Sequence, residues 1–411
     1  MKIGIIGVGY VGLTTAIGFA SKGFNIVYVD KDKDKINKLN KGFLPFYEKG
    51  LVEAYNYASE NIIFSTNFID LKKCDFIIVA VGTPTLANSD NADLSYIKQV
   101  AKDINKLKIN KKVIIAIKST VPVGTGDIVE KIINNKNIIV ISMPEFLREG
   151  CALIDFLYPD RVVIGSDVNV KKQINVLYKD FKTNILYTDR HSSELIKYAS
   201  NSFLAIKIHY INEIADLCEK VNANVKDVAF GMGLDKRIGP HFLNSSIGYG
   251  GSCFPKDTKA LNYLAKTKKV NLSLVDTAIK GNENRISKFA KEINKYKNVA
   301  VFGLTFKADT DDCRESPAIK LINKLKGNVS VYDPKGIEHA KKLLSNKVKF
   351  GIPYEIVKGK DVLVIATEWQ EFKTYNYSKI YKLMKHKNII DLRNLLKNQY
   401  KFNYRNVGNY K

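Results

Sequence analysis

The chain of 411 residues has little that would carry it into a membrane or out of a cell. No apolar run approaches the roughly 18–20 residues needed to span a bilayer. The opening stretch, M-K-I-G-I-I-G-V-G-Y-V-G-L, is apolar but broken by glycines, and no small-residue cleavage site follows. It reads as a strand and a turn rather than a leader. Cysteine is scarce. Cys74, Cys151, Cys218, Cys253 and Cys313 are odd in number and scattered, with no C-x-x-C pair, which argues against both a disulfide framework and a zinc cluster. Free thiols and the missing leader point to a cytoplasmic protein. Acidic residues are also short, and the formal net charge is +24. The lysines are spread along the chain among many asparagines, and no nucleic-acid recognition motif is present. The excess therefore reads as a compositional bias that suits small anionic substrates, not as a nucleic-acid patch.

What is present is an α/β pattern. At 411 residues, with 45% hydrophobic content, two or three domains are expected. K-I-G-I-I-G-V, F-N-I-V-Y-V-D, D-F-I-I-V-A-V-G, K-V-I-I-A-I-K-S-T and N-I-I-V-I-S-M-P are continuous apolar runs separated by helical patterns, with a helix over 11–22 after the first. Such runs predict a parallel sheet covered on both faces. Residues 192–222 hold neither proline nor glycine. Leu195, Tyr198, Ala199, Phe203, Ile206, Tyr210, Ile214 and Leu217 recur there at helical spacing, so one long helix is predicted. It reads as a connector and a packing surface for a second subunit. From residue 297 a second sheet pattern begins, with N-V-S-V-Y-D-P ending in Asp333 much as the early strand ends in Asp30, and N-I-I-D-L-R-N as its last strand. The fold expected is two Rossmann-like doubly wound domains, 1–190 and 291–411, joined through a central helical dimerisation region, 191–290. The last dozen residues, rich in lysine, asparagine and tyrosine, read as loosely ordered.

Two constellations carry chemistry. Gly7-Val8-Gly9-Tyr10-Val11-Gly12 matches G-x-G-x-x-G, follows a strand, opens a helix, and is followed eighteen residues on by Asp30. Gly7 allows the turn, Gly9 the approach of a pyrophosphate, and Gly12 close helix–strand packing. The helix N-terminus faces the phosphates. Asp30 would accept from a ribose diol and repel a 2′-phosphate, which favours NAD over NADP, although Lys31 and Lys33 weaken that preference. The bland alternative is a glycine-rich turn that only packs a helix on a sheet. The second sheet carries one glycine, Gly303, at the matching turn and is not expected to hold a dinucleotide in the same way. The other constellation is Y-G-G-S-C-F-P-K-D, residues 249–257. Pro255 suits the first turn of a helix, so Cys253 falls at a helix N-terminus beside Lys256, and both effects favour the thiolate. Asp257 would lie near the thiol if the helix begins there, and Gly250 and Gly251 would let a substrate approach. A buried structural cysteine is the alternative. A nicotinamide site on the same chain favours catalysis, through hydride transfer from a hemithioacetal to a thioester.

In order along the chain, G-V-G-Y-V-G-L, V-G-T-P-T, K-S-T-V-P-V-G-T, P-E-F-L-R-E-G, K-Y-A-S-N, G-Y-G-G-S-C-F-P-K-D and F-K-A-D-T-D-D-C-R-E-S-P together resemble the UDP-glucose/GDP-mannose dehydrogenase family, over residues 7–317. The resemblance implies oxidation of a sugar C6 alcohol to a carboxylate with two NAD and one water, Cys253 carrying the covalent adduct. It implies that Lys197 and Asn201, four apart on one helix, stabilise the C6 oxygen, where otherwise they would read as a solvated helix edge. Asp257 and Thr120 would position water, and Glu145 would be the acid/base, with Glu149 as the alternative. Around NAD it places Gly7, Gly9, Tyr10, Val11, Gly12, Asp30, Lys35, Thr83, Thr120 and Glu149, with Lys256 nearby and Arg314 reaching in from the second half. The nucleotide sugar would be held by Glu145, Phe146, Leu147, Arg148, Glu149, Lys197, Asn201, Tyr249, Gly250 and Gly251, with Lys307 and Arg393 from the C-terminal domain. Arg237 resembles an arginine that crosses a dimer interface. No step demands a metal, and His209 and His241 read as structural. UDP-glucose is the expected substrate, with GDP-mannose and a UDP-N-acetylhexosamine as alternatives, and the product class suits polysaccharide synthesis such as that of a capsule. From other classes, a non-enzymatic NAD-binding regulator and a nucleic-acid-binding protein remain to be distinguished.

Overall fold

The structure is a computed structural model that describes residues 1–7, 9–397 and 401–409. Val8 of the glycine motif, residues 398–400 and the last two residues lie outside the described residues. The chain divides into two compact units, Met1–Ser200 and Asn201–Lys411. The boundary falls inside one helix, Arg190–Val221, whose 32 residues make it about 48 Å long at 1.5 Å per residue. Among the described residues no helix is long and apolar enough to cross a membrane.

The first unit is built on eight strands: β1 (Lys2–Ile6), β2 (Asn25–Val29), β3 (Ile62–Ser65), β4 (Phe76–Val79), β5 (Val113–Ile117), β6 (Ile138–Ser142), β7 (Arg161–Gly165) and β8 (Asn184–Thr188). They lie in the order β3-β2-β1-β4-β5-β6-β7-β8. All neighbours pair in parallel except β6 and β7, which meet antiparallel at Ser142 and Gly165. The apolar runs do not alternate with polar residues because both faces are covered. Ile26 and Tyr28 point into one core with Phe19, Phe76 and Phe156. Val27 and Val29 point into the other with Ile77, Val100 and Val129. The order reverses between β1 and β4, which opens a crevice beyond their carboxyl ends. Gly7 follows β1 there, and the loop from Ala80 follows β4.

The second unit repeats the plan. Its strands are β9 (Asn298–Phe302), β10 (Asn328–Tyr332), β11 (Lys349–Phe350), β12 (Val362–Ile365), β13 (Asn388–Asp391) and β14 (Asn403–Asn406). They form an all-parallel sheet in the order β11-β10-β9-β12-β13-β14. Helices Val225–Gly233, Phe254–Thr267 and Ser273–Ile293 precede it.

One expectation is overturned at the C-terminus. Over residues 401–409 the tail is not loose, and β13 is not the last strand, because β14 pairs with β13 from Asn388–Asn403 to Asp391–Asn406. Its polar side chains are the means of attachment. Arg405 pairs with Glu219 at 3.0 Å and Glu292 at 3.2 Å, Gly408 N donates to Glu219, and Val407 is fully buried. Tyr400 and the last two residues of that tail lie outside the described residues.

Asp333, after β10, is 1% exposed and accepts hydrogen bonds from the backbone N–H groups of Leu304, Thr305, Lys335 and Gly336. The Thr305 hydroxyl and the indole N–H of Trp369 also donate to it. Removing the carboxylate strands these donors in the interior, at about 1–3 kcal/mol for each one left unsatisfied. Asp333→Ala should therefore lose about 3 kcal/mol or more in urea unfolding followed by the emission of Trp369, the chain's one tryptophan. A loss under about 1 kcal/mol would contradict this role.

Candidate functional site

In the first unit, the glycine turn has the shape a dinucleotide needs. Gly7 has φ +110°, and a Cβ there would lie 2.7 Å from the Ala80 carbonyl oxygen. A Cβ on Gly12 would lie 2.2 Å from the Gly7 carbonyl oxygen. Nothing lies within 4 Å of a Cβ built on Gly9 or on Gly82. The turn is thus closed where the chain packs on itself and open where a pyrophosphate approaches. Helix Tyr10–Ser21 starts at Gly9 with no side-chain cap and no acid in its first turn, so its N-terminus is open to an anion. Val11 lies in that first turn. Asp30 follows β2 and accepts from Asp32 N at 2.8 Å. Lys35 pairs with Asp32 at 3.4 Å on the exposed side of the next helix. The Thr83 hydroxyl donates to the Thr120 carbonyl at 2.8 Å, joining the V-G-T-P and K-S-T-V-P loops. The residues present fit the dinucleotide.

A buried charge cluster lies in the same unit. Lys197 Nζ is 3.1 Å from Glu145 Oε1, and both side chains are almost fully buried. Glu145 Oε2 also accepts from Leu147 N at 2.5 Å. Phe146 is flanked by cations, with the Arg161 guanidinium 3.9 Å and Lys197 Nζ 5.3 Å from its ring centre. Arg148 is held by Asp155 through its backbone N, Nε and guanidinium, while Glu149 is half-buried near Tyr10. Lys118, 6% exposed, was not singled out from the sequence. Burial lowers its ammonium to about 8, against the pull of Glu145, and Lys197 lowers it further. Two lysines against one carboxylate leave a net positive charge there, which could stabilise an oxygen anion.

In the second unit, Cys253 is the N-cap residue of helix Phe254–Thr267, with Pro255 in its first turn. Cys253 therefore stands at the positive end of that helix. Asp257, 1% exposed, donates its N–H to the Cys253 carbonyl at 2.8 Å, and its carboxylate accepts from Asn201 Nδ2 and from Lys256 Nζ, each at 2.6 Å. Asn282 brackets Tyr249, accepting from its N at 2.9 Å and donating to its carbonyl at 3.0 Å. Arg285 donates to the Ser246 carbonyl at 2.6 Å and pairs with Asp216 at 2.8 Å. These two residues escaped the sequence reading. The signal available was a pair of polar residues on the buried face of helix Ser273–Ile293.

Gly250 and Gly251 are also required by the packing of the chain itself. A Cβ on Gly250 would lie 2.4 Å from the Glu315 carbonyl oxygen and 2.5 Å from Pro317. On Gly251, at φ +82°, it would lie 2.8 Å from the ring of Phe306. The close approach at both is made by this chain's own residues. Likewise the Tyr249 hydroxyl donates inward, to the Ala278 carbonyl at 3.3 Å. Arg393 donates to the Ala366 and Phe306 carbonyls at 2.9 and 2.8 Å and lines a cavity of about 660 Å³ with Lys226, Leu243, Ser245, Glu368 and Lys397. Lys307 stands 5.6 Å from the centre of the Phe306 ring. Arg314 forms a bidentate pair with Asp312, and Arg237 pairs with Asp235 on an exposed loop. His209 packs on Gly281 and faces Glu213 at 3.4 Å.

Asp333 corresponds to Asp30 in the second sheet, but all its acceptor capacity goes to its own unit. It has nothing left for a ribose. The dinucleotide turn therefore belongs to the first unit, as the sequence suggested.

The sequence matches models of the "UDP-glucose/GDP-mannose dehydrogenase family" along its length: the NAD binding domain over residues 1–182, the central domain over 191–284 and the UDP binding domain over 300–398. The chain belongs to this family. Its cofactor is NAD. It is 44% identical to a UDP-glucose 6-dehydrogenase of Rhizobium meliloti (strain 1021), over 99% of each chain. Among solved structures, a UDP-glucose dehydrogenase from the hyperthermophilic archaeon Pyrobaculum islandicum superimposes with a TM-score of 0.92 at 31% identity, covering 100% of this chain and 98% of that one. A UDP-D-ManNAc dehydrogenase from Pyrococcus horikoshii gives 0.85 at 30% identity, covering 100% and 99%.

Two predictions follow from this geometry. Gly9→Ala should keep the wild-type melting temperature within about 2 °C but weaken NADH binding about tenfold or more in a fluorescence titration, since its Cβ enters the space of the pyrophosphate. Gly12→Ala should instead lower the melting temperature, because its Cβ collides with the chain itself. Equal effects of the two would refute the open turn. For Lys118, the folded state gives up its proton near pH 8 and the unfolded chain near 10.5, so the unfolded state binds more protons in between. Stability should rise with pH across that window, by roughly 3 kcal/mol in all. Lys118→Met should lack that rise when unfolding is measured at pH 7.5 and pH 10.

Proposed function

We propose that this chain is an NAD-dependent UDP-glucose 6-dehydrogenase that forms UDP-glucuronate by a four-electron oxidation. The observation that carries the reading is Cys253 as the N-cap of a helix whose first turn holds the buried Asp257, bonded to Asn201 of the long helix. Each of the two oxidations delivers a hydride from C6 to NAD, which is the chemistry the bound cofactor supplies. Glu145 takes the proton of the C6 hydroxyl, and the Lys197 ammonium and the Asn201 amide hold the oxygen as charge develops. The Cys253 thiolate adds to the resulting aldehyde, and loss of the second hydride leaves a thioester. Water held by Asp257 and Thr120 then attacks the thioester carbonyl and the thiolate departs. The sum is one alcohol, two NAD and one water giving one carboxylate, two NADH and three protons.

The substrate assignment rests on the likeness to the UDP-glucose 6-dehydrogenase named above. The similar fold of the UDP-D-ManNAc enzyme keeps an N-acetylhexosamine nucleotide as the second reading. The remaining binding roles expected from the sequence stand as part of this proposal, with Arg393 in its cavity the residue best placed to meet a nucleotide. The division into cofactor, central and UDP-sugar regions, and a cytoplasmic setting, belong to it too. So does a homodimer. Phe203, Tyr210 and Leu217 are exposed at seven-residue spacing on the long helix, and Phe230 is exposed on the next helix with Leu234 just past its end. Such an apolar stripe suits a second copy.

The test is NADH released per substrate consumed, with UDP-glucose, GDP-mannose and UDP-N-acetylmannosamine offered separately. About two NADH per UDP-glucose, little from the others, and a loss of at least about 1,000-fold in kcat for Cys253→Ala are expected. One NADH per substrate, or an active Cys253→Ala, would sink the covalent route. Turnover of another nucleotide sugar would move the substrate assignment alone.

A further inference from the structure

Glu48 takes no part in the reaction above and belongs to no motif picked out in the sequence, yet it is 4% exposed and fully engaged. It stands in the segment F-L-P-F-Y-E-K-G-L, just before helix Leu51–Ala58. Its Oε1 accepts from Ala152 N at 2.7 Å and its Oε2 from Gly150 N at 2.8 Å. Oε2 also accepts the hydroxyl proton of Tyr10. The triangle closes on its third side, since Gly150 N lies 2.8 Å from the Tyr10 hydroxyl oxygen, and that hydroxyl is 3.4 Å from the Arg148 carbonyl. Phe46 packs on the Tyr10 ring at 4.8 Å. Burial and the charge of Glu48 push the Tyr10 phenol far above its ordinary range, so it remains a donor.

The two elements joined here are the two that bind different ligands. Tyr10 is the first residue of the helix that opens at Gly9, where the pyrophosphate approaches. Gly150 ends the P-E-F-L-R-E-G loop that begins at Glu145. The far end of that loop is fixed by Lys197 on Glu145, its middle by Asp155 on Arg148, and its near end by Glu48. In a water-poor setting these bonds are stiff, and losing one leaves a buried donor unpaired. A cofactor that fixes the first turn of the Tyr10 helix thereby fixes Glu48, and Glu48 fixes the loop. A ligand that orders the loop acts back on Tyr10 by the same route.

We propose that Glu48 is a positioning residue that couples the two ligands, tying the cofactor turn to the Glu145–Gly150 loop so that dinucleotide and nucleotide sugar bind better together than apart. This rests on the functional reading above. The test uses NADH and UDP-glucose, a pair that cannot react with each other because both are already reduced. NADH affinity is measured by fluorescence with and without saturating UDP-glucose. The wild type should bind NADH about fivefold or more tightly with the sugar nucleotide present. Tyr10→Phe keeps the ring and removes only the hydroxyl; whatever its affinity for NADH alone, the ratio of its NADH affinities with and without UDP-glucose should fall to within about twofold of one. Glu48→Gln should behave alike, since an amide cannot accept from three donors. The double variant should be no worse than the more affected single one, as expected of partners in one unit. A merely structural role would lower stability and leave the enhancement in place. Should Glu48→Gln not fold, Tyr10→Phe decides. An unenhanced wild type, or an enhancement that survives Tyr10→Phe, overturns the coupling. Wild-type protein that oxidises none of the three nucleotide sugars overturns the functional reading instead.

Discussion

The first unit depends on a distance that no side chain tolerates. The first turn of helix Tyr10–Ser21 lies so close to the end of β1 that a methyl group on Gly12 would meet the Gly7 carbonyl oxygen at 2.2 Å. That contact aims the helix axis at the crevice where the strand order reverses. It brings the uncapped helix N-terminus and Asp30 to the same end of the sheet. The placement of Tyr10, and through it of Glu48 and Gly150, follows from the same turn.

The two units show what burial does to one residue type at one topological position. Asp30 and Asp333 each follow the second strand of a sheet whose order runs alike on both sides of the first. Asp30 is half-buried and accepts a hydrogen bond from Asp32 N within its own loop. Asp333 is closed over by Trp369 and the turn after β9, and its oxygens are spent on the fold. A carboxylate left accessible can read a ribose, whereas one saturated by backbone donors is a structural clamp. Near the thiol, Asp257 is buried too, but its partners are the side chains of Asn201 and Lys256, groups that a substrate can recruit.

Much of this was legible in the sequence, for identifiable reasons. Continuous apolar strands, a G-x-G-x-x-G between strand and helix, and a thirty-residue stretch without proline or glycine are local signals, and local packing obeyed them. The cysteine at a helix start was legible because Pro255 marks the first turn. What escaped depends on partners far away in the chain. Glu48 meets residues some hundred positions on, and Asn282 and Arg285 support the loop around Tyr249 from a distant helix. Lys118 could be read as a motif member but not as a buried cation. The tail misled for the opposite reason. Its composition is that of a loose terminus, but Glu219 and Glu292 wait for Arg405.

Gly250 bears on how loss of function is interpreted. It sits three residues before the thiol, in the stretch where a defect would naturally be blamed on substrate contact. Yet the space a side chain would need is filled by the backbone of Glu315 and the ring of Pro317, the residue that opens helix Pro317–Asn323. An inactive variant at that glycine could thus reflect a misfit between two pieces of one compact unit, displacing the cysteine from behind. Its phenotype would imitate a binding-site lesion even where no ligand contact had been lost.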